Sequence, residues 1–400
     1  MVNVAVMGHG TVGSGVVEIL LKHEKSIADK ADGEIRVKYI LDLKDVPAHL
    51  SDRHVKDFSI IENDPEVDVV VEAMGGVGAA LDFTRRALMA GKNVVTSNKA
   101  VVADYGYELT QLAKEKGVCY LFEASVGGGI PVIRPLSQCL AANEIQEIRG
   151  ILNGTTNYIL TRMIRAGLSF EEALAEAQQK GYAESDPSAD VLGHDACRKI
   201  CILSSLAFGR HVYPRQVPAE GITGIALADV DYAAAAGKKI KLLGRAIRLS
   251  GGEVCACVEP HLVDEANPLA SVEDVFNAIA IRGDSVGDVM FYGPGAGKLP
   301  TASAVVADIM DIALHHGSRK PMCWGPGSDD AVSGFENVAS KWYVRAMTGE
   351  NALQSALGEV EMLTKGGVED AGITTDEMTR SELESRLSGI EILSVIRVLD

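Results

Sequence analysis

A doubly wound α/β fold is what this 400-residue sequence predicts. Three observations lead there. A glycine-rich turn joins a β-branched strand to an amphipathic helix within residues 2–22. Apolar strand-like runs then alternate with helical stretches to about residue 135, the mark of a parallel sheet covered on both faces. The length also suffices for two or three domains, each with a core. The expected boundaries are 1–135 for the first domain and 136–324 for an α+β domain with a mixed sheet, whose 293–320 stretch returns toward the first. A small α+β module follows over 331–400, after a linker GPGSDD at 325–330.

In chain order, Val2, Val4 and Val6 alternate with small residues and read as a buried strand. Gly8-His9-Gly10-Thr11-Val12-Gly13 follows and fits G-x-G-x-x-G, and Val16, Val17, Leu20 and Leu21 recur at helical spacing. In that pattern Gly8 makes the tight turn, Gly10 lets a pyrophosphate approach the backbone, and Gly13 lets helix and strand pack. The pyrophosphate would rest on the helix N-terminus. Alone the motif is weak; between a strand and a helix it points to a dinucleotide, NAD or NADP. The second strand is read at 35–43, with Asp42 near its end as the candidate partner for the adenosine ribose. The glycines lie further from Asp42 than usual, so one long helix and loop are expected over about 14–34. A third strand, VDVVVEA, runs into the turn Met74-Gly75-Gly76 near the cofactor. A helix over 81–90 leads to the strand KNVVTSN. Ser97 and Lys99 then fall at the carboxyl end of the sheet, where such folds bind ligands. A lysine after a strand is commonly solvated; this position aims it at the nicotinamide end of the cleft.

The stretch CYLFEASVGGGIPVIRPL ends a strand near Glu123 and frees the backbone at Gly127, Gly128 and Gly129. Such a turn can be a hinge between domains. It can also gather carbonyl oxygens around a hard cation. A strand within 144–160 leads to Asn153-Gly154-Thr155-Thr156-Asn157, where Thr155, Thr156 and Asn157 can cap the next helix or face a polar substrate. A helix over 170–180, with Leu174 inward, ends on Gly181. The loop 182–193 carries Glu184, Asp186 and Asp190, and a helix from about Gly193 places Asp195 and Lys199 one turn apart. By composition alone that pair is a common exposed ion pair, contributing about 0.3–0.5 kcal/mol.

Composition narrows the partners. A formal charge of −17 argues against nucleic acid and anionic membrane, and no apolar run is long enough to span a bilayer. The N-terminal MVNVAVMGHG shows neither a basic segment nor a cleavage pattern, which predicts no secretory leader and a cytoplasmic protein. Seven scattered cysteines without a C-x-x-C pair read as reduced, buried thiols.

Together GHGTVG, TSNKA, FEASVGGGIPVI, GILNGTTNYIL, GYAESDPSADVLGHDACRK, KKIKLLGRA and GPGAGKLPTASAVVADI resemble the homoserine dehydrogenase family, in that family's order across about three quarters of the chain. The resemblance implies reversible NAD(P)-dependent interconversion of L-homoserine and L-aspartate 4-semialdehyde in threonine and methionine biosynthesis. It makes Lys199 the general acid–base and puts Lys99 between nicotinamide and substrate. Glu184 and Asp195 would bind the substrate ammonium, with Asp190 in support. Gly181 and Gly295 would line the cleft. Glu123, Val126, Gly128 and Ile130 would offer backbone carbonyls to sodium or a similar ion. A homodimer built on strands near 136–150, or a homotetramer, is implied as well. Two features depart from the family. The second strand lacks an arginine before Asp42, so at least dual use of NAD and NADP is expected. The C-terminal residues read as β-α-β-α-β and resemble a shortened ACT module, but TGENALQ replaces the effector turn, so little threonine inhibition is expected. Two other readings fit the first domain: a different NAD(P)-dependent amino-acid oxidoreductase, and a nonenzymatic dinucleotide sensor.

Overall fold

The computed structural model describes residues 1–315, 322–329, 332–348, 350–358, 360–363 and 370–399. The alternating β-branched runs of the N-terminal third form β1 (Val2–Met7), β2 (Ile35–Leu41), β3 (His54–Val55), β4 (Val69–Glu72), β5 (Asn93–Thr96) and β6 (Tyr120–Leu121). They build one six-stranded sheet in the order β3-β2-β1-β4-β5-β6, with every pair parallel. This is the Rossmann order, with ligands expected at the carboxyl ends of the strands. The helices are α1 (Thr11–Lys22), α2 (Glu24–Lys30), α3 (Phe58–Asn63), α4 (Gly78–Met89) and α5 (Lys99–Lys116). The longer-than-average helix and loop over about 14–34 consist of α1 and α2, which meet at His23. β2 stops at Leu41, leaving Asp42 just beyond its end. The two-residue β3 carries no periodic signal and was not expected from the sequence.

The second sheet holds β7 (Ile145–Ile151), β8 (Lys238–Arg248), β9 (Val254–Asp264), β10 (Phe276–Gly283) and β11 (Gly287–Pro294). It continues into β12 (Trp342–Ala346), β13 (Val360–Leu363), β14 (Ala371–Thr375) and β15 (Ile392–Leu399). The order is β11-β10-β7-β8-β9-β15-β12-β14-β13. Neighbours are antiparallel except β15 and β9, so the sheet is mixed. Its helices are α6 (Gly154–Ala166), α7 (Phe170–Gln179), α8 (Ser188–Val191), α9 (His194–Phe208) and α10 (Leu227–Ala235). Next, α11 (Lys298–His315) crosses back to the nucleotide side, where Ala302, Val305, Ile309 and Ile312 share a core with Val16, Val17 and Leu20. α12 (Glu350–Leu357) and α13 (Arg380–Arg386) complete the chain.

β7 is flanked by β10 and β8, and among the described residues the sheet ends on β11 at that side. Among its described residues the C-terminal segment contains four strands, where three were expected: Gly358, at φ +83, closes α12, and β13 precedes β14. The linker GPGSDD is held where it is described: Gly325 bonds to Gly209 and His211 through the backbone, while Asp330 lies outside the described residues. Gly349 of TGENALQ also lies outside them. Among the described residues, no helix is long and apolar enough to cross a membrane.

Candidate active site

The nucleotide side is built from the turn after β1. A β-carbon on Gly13 would lie 1.8 Å from the Gly8 carbonyl oxygen, so only glycine lets α1 pack this close, while the space beside Gly10 is open. Those two facts together are the cradle that a pyrophosphate requires. Asp42 accepts hydrogen bonds from the backbone N–H of His9 at 2.7 Å and of Lys44 at 2.9 Å. Burial pushes its carboxyl up, but these donors outweigh that and hold it below the usual range. Met74 and Gly75 follow β4, where the fully buried Glu72 accepts from the Met74 N–H and the Thr96 hydroxyl. Thr96 in turn accepts from the Asn98 N–H, and the Asn98 side chain caps α5 at Val101. This chain of bonds fixes Lys99 as the first residue of α5.

The substrate side is built from α9. Gly193, at φ +82, turns the chain into that helix. Asp195 and Lys199 are then 6% and 7% exposed, so the pair is buried and not the exposed one that composition alone suggests. The Lys199 ammonium donates to Asp195 Oδ2 at 2.7 Å and to the Leu152 carbonyl at 2.6 Å. From the other domain, the Lys99 ammonium lies 2.7 Å from Asp195 Oδ1. One carboxylate thus bridges two lysines. Burial lowers the Lys199 pKa below the ordinary lysine value and Lys99 adds to the drop, while Asp195 and Asp190 oppose it. Burial would raise the Asp195 carboxyl, yet the two ammonium groups hold it far below the usual range. Asp190 is pushed up by burial, with Asn153 opposing.

Asn153 organises this cluster. Its amide nitrogen donates to Asp190 at 2.6 Å and to Asp195 at 2.8 Å, while its oxygen caps α6 by accepting from the Thr156 N–H. The cap was expected on Thr155, Thr156 or Asn157, although asparagine is the stronger N-cap residue and its place before the helix was the available signal. Thr156, expected at the substrate, bonds back to Asn153 and is buried. Its neighbour Thr155 faces the cleft, with its hydroxyl on the Tyr182 carbonyl at 2.6 Å.

These groups surround one cavity of about 550 Å³ between the two domains. Thr11, Val12, Ser97 and Lys99 line it from the nucleotide side. Gly128, Gly181, Asp190, Asp195, Lys199 and Gly295 line it from the hinge and the second domain. Tyr182, Ser125, Val275 and the neighbours of Gly295 in the 294–297 turn, Pro294, Ala296 and Gly297, also form its walls and were not singled out from the sequence. Glu184 is exposed and off the wall; its carbonyl accepts from the Gln178 amide. At the hinge, the Glu123 carboxylate is consumed by the N–H groups of Val132, Ile133 and Arg134. Val126 and Ile130 are buried beside it. Among the described residues, no group of three or more His, Cys, Asp or Glu side chains is set to hold a metal.

A Rossmann cradle facing a cleft with a buried, depressed-pKa lysine defines an NAD(P)-dependent oxidoreductase acting on a CH–OH group. Two family models match: "Homoserine dehydrogenase, NAD binding domain" over residues 8–123 and "Homoserine dehydrogenase" over 131–310. The chain belongs to the homoserine dehydrogenase family. It is 47% identical to a homoserine dehydrogenase of Synechocystis sp. over 78% of this chain and 73% of that one. It is 38% identical to one of Neisseria gonorrhoeae over 99% of this chain and 96% of that one. The crystal structure of a homoserine dehydrogenase from Thiobacillus denitrificans superposes with a TM-score of 0.92 at 34% identity, covering 100% of this chain and 98% of that one.

Proposed function

We propose that this protein catalyses the reversible NAD(P)-dependent interconversion of L-homoserine and L-aspartate 4-semialdehyde, running as aldehyde reduction toward threonine and methionine. The observation that carries the reading is the Lys99–Asp195–Lys199 bridge inside the cleft. When bound, the nicotinamide supplies or accepts the hydride. The Lys199 ammonium donates a proton to the substrate's carbonyl oxygen in reduction, and the neutral amine takes it back from the hydroxyl in oxidation. The lowered pKa makes both forms accessible. Asp195, already satisfied by two lysines and Asn153, orients Lys199 and Lys99 rather than meeting the substrate ammonium directly. That ammonium falls to Asp190 on the wall, with Glu184 in the neighbouring 182–187 turn as the second carboxylate. Gly181 shapes the same wall.

Gly8, Gly10, Thr11, Val12 and Gly13 would hold the pyrophosphate, and Asp42 the adenosine ribose. Met74, Gly75, Ser97 and Gly295 would lie along the rest of the dinucleotide. Asp42 without a preceding arginine supports use of NADH as well as NADPH. Sodium or a similar ion on the carbonyls of Glu123, Val126, Gly128 and Ile130 belongs to the same reading, since the Glu123 carboxylate is already spent. A homodimer is supported by the exposed apolar side chains of β11, Met290 and Tyr292, with Tyr292 stacked on the exposed Phe276 of neighbouring β10; a homotetramer would need a second contact.

The test is oxidation of NADH and of NADPH with L-aspartate 4-semialdehyde, for wild type and Lys199→Ala. Wild-type turnover with a loss in kcat of about 10²–10⁴ in the variant is expected. Cofactor binding without turnover would mean a sensor, and a variant with unchanged kcat would remove Lys199 from the chemistry.

A further inference from the structure

Asn277 lies on β10, 1% exposed, and among the described residues neither its amide nitrogen nor its amide oxygen has a hydrogen-bond partner. A primary amide buried in this state is unfavourable, because it has lost water and gained nothing. The position does not require polarity for the fold: Ile279 and Ile281, on the same face of the strand, are fully buried in the main core. The amide therefore finds its partners in another state of the molecule.

The neighbouring groups identify that state. Asn277 pairs across the ladder with Gly293, and the chain continues into the 294–297 turn that lines the cleft. A β-carbon on Gly295 would lie 2.1 Å from Cγ and Nδ2 of Asn277, so the turn presents its bare α-carbon to the amide. The Gly295 carbonyl points the other way: a β-carbon on Gly128 would lie 2.5 Å from that oxygen. The turn is sandwiched between the hinge glycine and Asn277, with its polar groups on the hinge side. Gly293, Gly295 and Gly297, the last at φ +117, leave its backbone free to rotate.

We infer that Asn277 is a positioning residue that catches the 294–297 turn when a dinucleotide occupies the cleft. In that state Gly295 turns from Gly128 toward β10, its carbonyl accepts from the Asn277 amide nitrogen, and its own N–H, on the same side of the residue, donates to the amide oxygen. The cleft wall then closes on the nicotinamide end of the cofactor. The inference rests on the proposed dinucleotide site and adds a residue that does not line the cavity.

The experiment compares the full-length wild type with Asn277→Leu and Asn277→Ala. NADH and NADPH binding is read from the fluorescence of the reduced nicotinamide, apo stability from Tm, and the turn from hydrogen exchange at 293–299 with and without dinucleotide. The leucine variant is expected to keep or raise the apo Tm, since it removes an unpaired buried amide. Both variants are expected to raise the dinucleotide Kd by about tenfold and to lose the cofactor-induced protection of the turn. Should the leucine variant fail to fold, the alanine variant and Asn277→Ser carry the same readouts. A Kd within twofold of wild type, or protection retained in the variants, overturns the inference and makes Asn277 structural. No binding by the wild type overturns the dinucleotide site itself, which separates the two failures.

Discussion

Asp195 and Lys99 influence Lys199 with opposite signs, and that gives the site a signature in pH. Aldehyde reduction needs Lys199 protonated, so kcat/KM falls as pH rises through its pKa. Asp195 raises that pKa and Lys99 lowers it. In Asp195→Asn the supporting carboxylate is gone, so the alkaline limb of the kcat/KM profile is expected to move to lower pH. In Lys99→Met a like charge is gone, so the limb is expected to move to higher pH. Both variants lose rate, but the positions of the limbs are what is read. Limbs that move together, or not at all, would show that Lys199 is not the titrating acid. The spacing of Asp195 and Lys199 was legible in the sequence because one helical turn separates them. Their burial was not, because it depends on Leu152 and Lys99, which other parts of the chain bring to the cleft.

At the level of elements, α6 and α9 meet through the single side chain of Asn153. It caps one helix and donates to two carboxylates, one on α8 and one on α9. Asn153→Ala is expected to lose the cap, about 1 kcal/mol, and to remove the amide donor to Asp190, about 1–3 kcal/mol more, while Asp195 keeps its two lysines. Asn153→Ser restores a capping oxygen without the amide nitrogen, so it should recover only the first part. Denaturant unfolding of the two variants checks this: serine and alanine equal in stability would mean that the cap contributes nothing. The elements most legible in the sequence were those with strong local signals, such as β1 with its glycine turn and α7 with its amphipathic pattern and closing Gly181. β3 escaped because two residues cannot establish a period, and β13 because its VEML continues the amphipathic run NALQSALGEVEML in the sequence. The parallel order of the first sheet was readable because each crossover helix leaves its own pattern.

At the scale of the molecule, the C-terminal module is part of the catalytic domain's sheet. β15 pairs in parallel with β9 through Arg397, Val398 and Leu399. Arg397 is buried and bonds Glu259 on β9 at 2.5 Å. Arg345 on β12 lies 2.7 Å from Asp229 on α10 and 2.9 Å from Asp370, and the Tyr343 hydroxyl donates to Asp229 at 2.9 Å. A sequence reading separates such a module because its own hydrophobic pattern closes on itself, around Trp342, Val344, Ile373 and Leu383. The partner strand lies far away in sequence and leaves no local mark. Asp229 is fully buried, so losing its guanidinium partner leaves a carboxylate without its cation in the interior. Arg345→Met is therefore expected to destabilise the protein by about 3–5 kcal/mol. Because the sheet is continuous, amide exchange should rise in β8 and β9 as well as in β12 and β15. Exchange rising only within 340–399 would mean that the module opens as a separate unit and that the shared sheet does not couple it to the site.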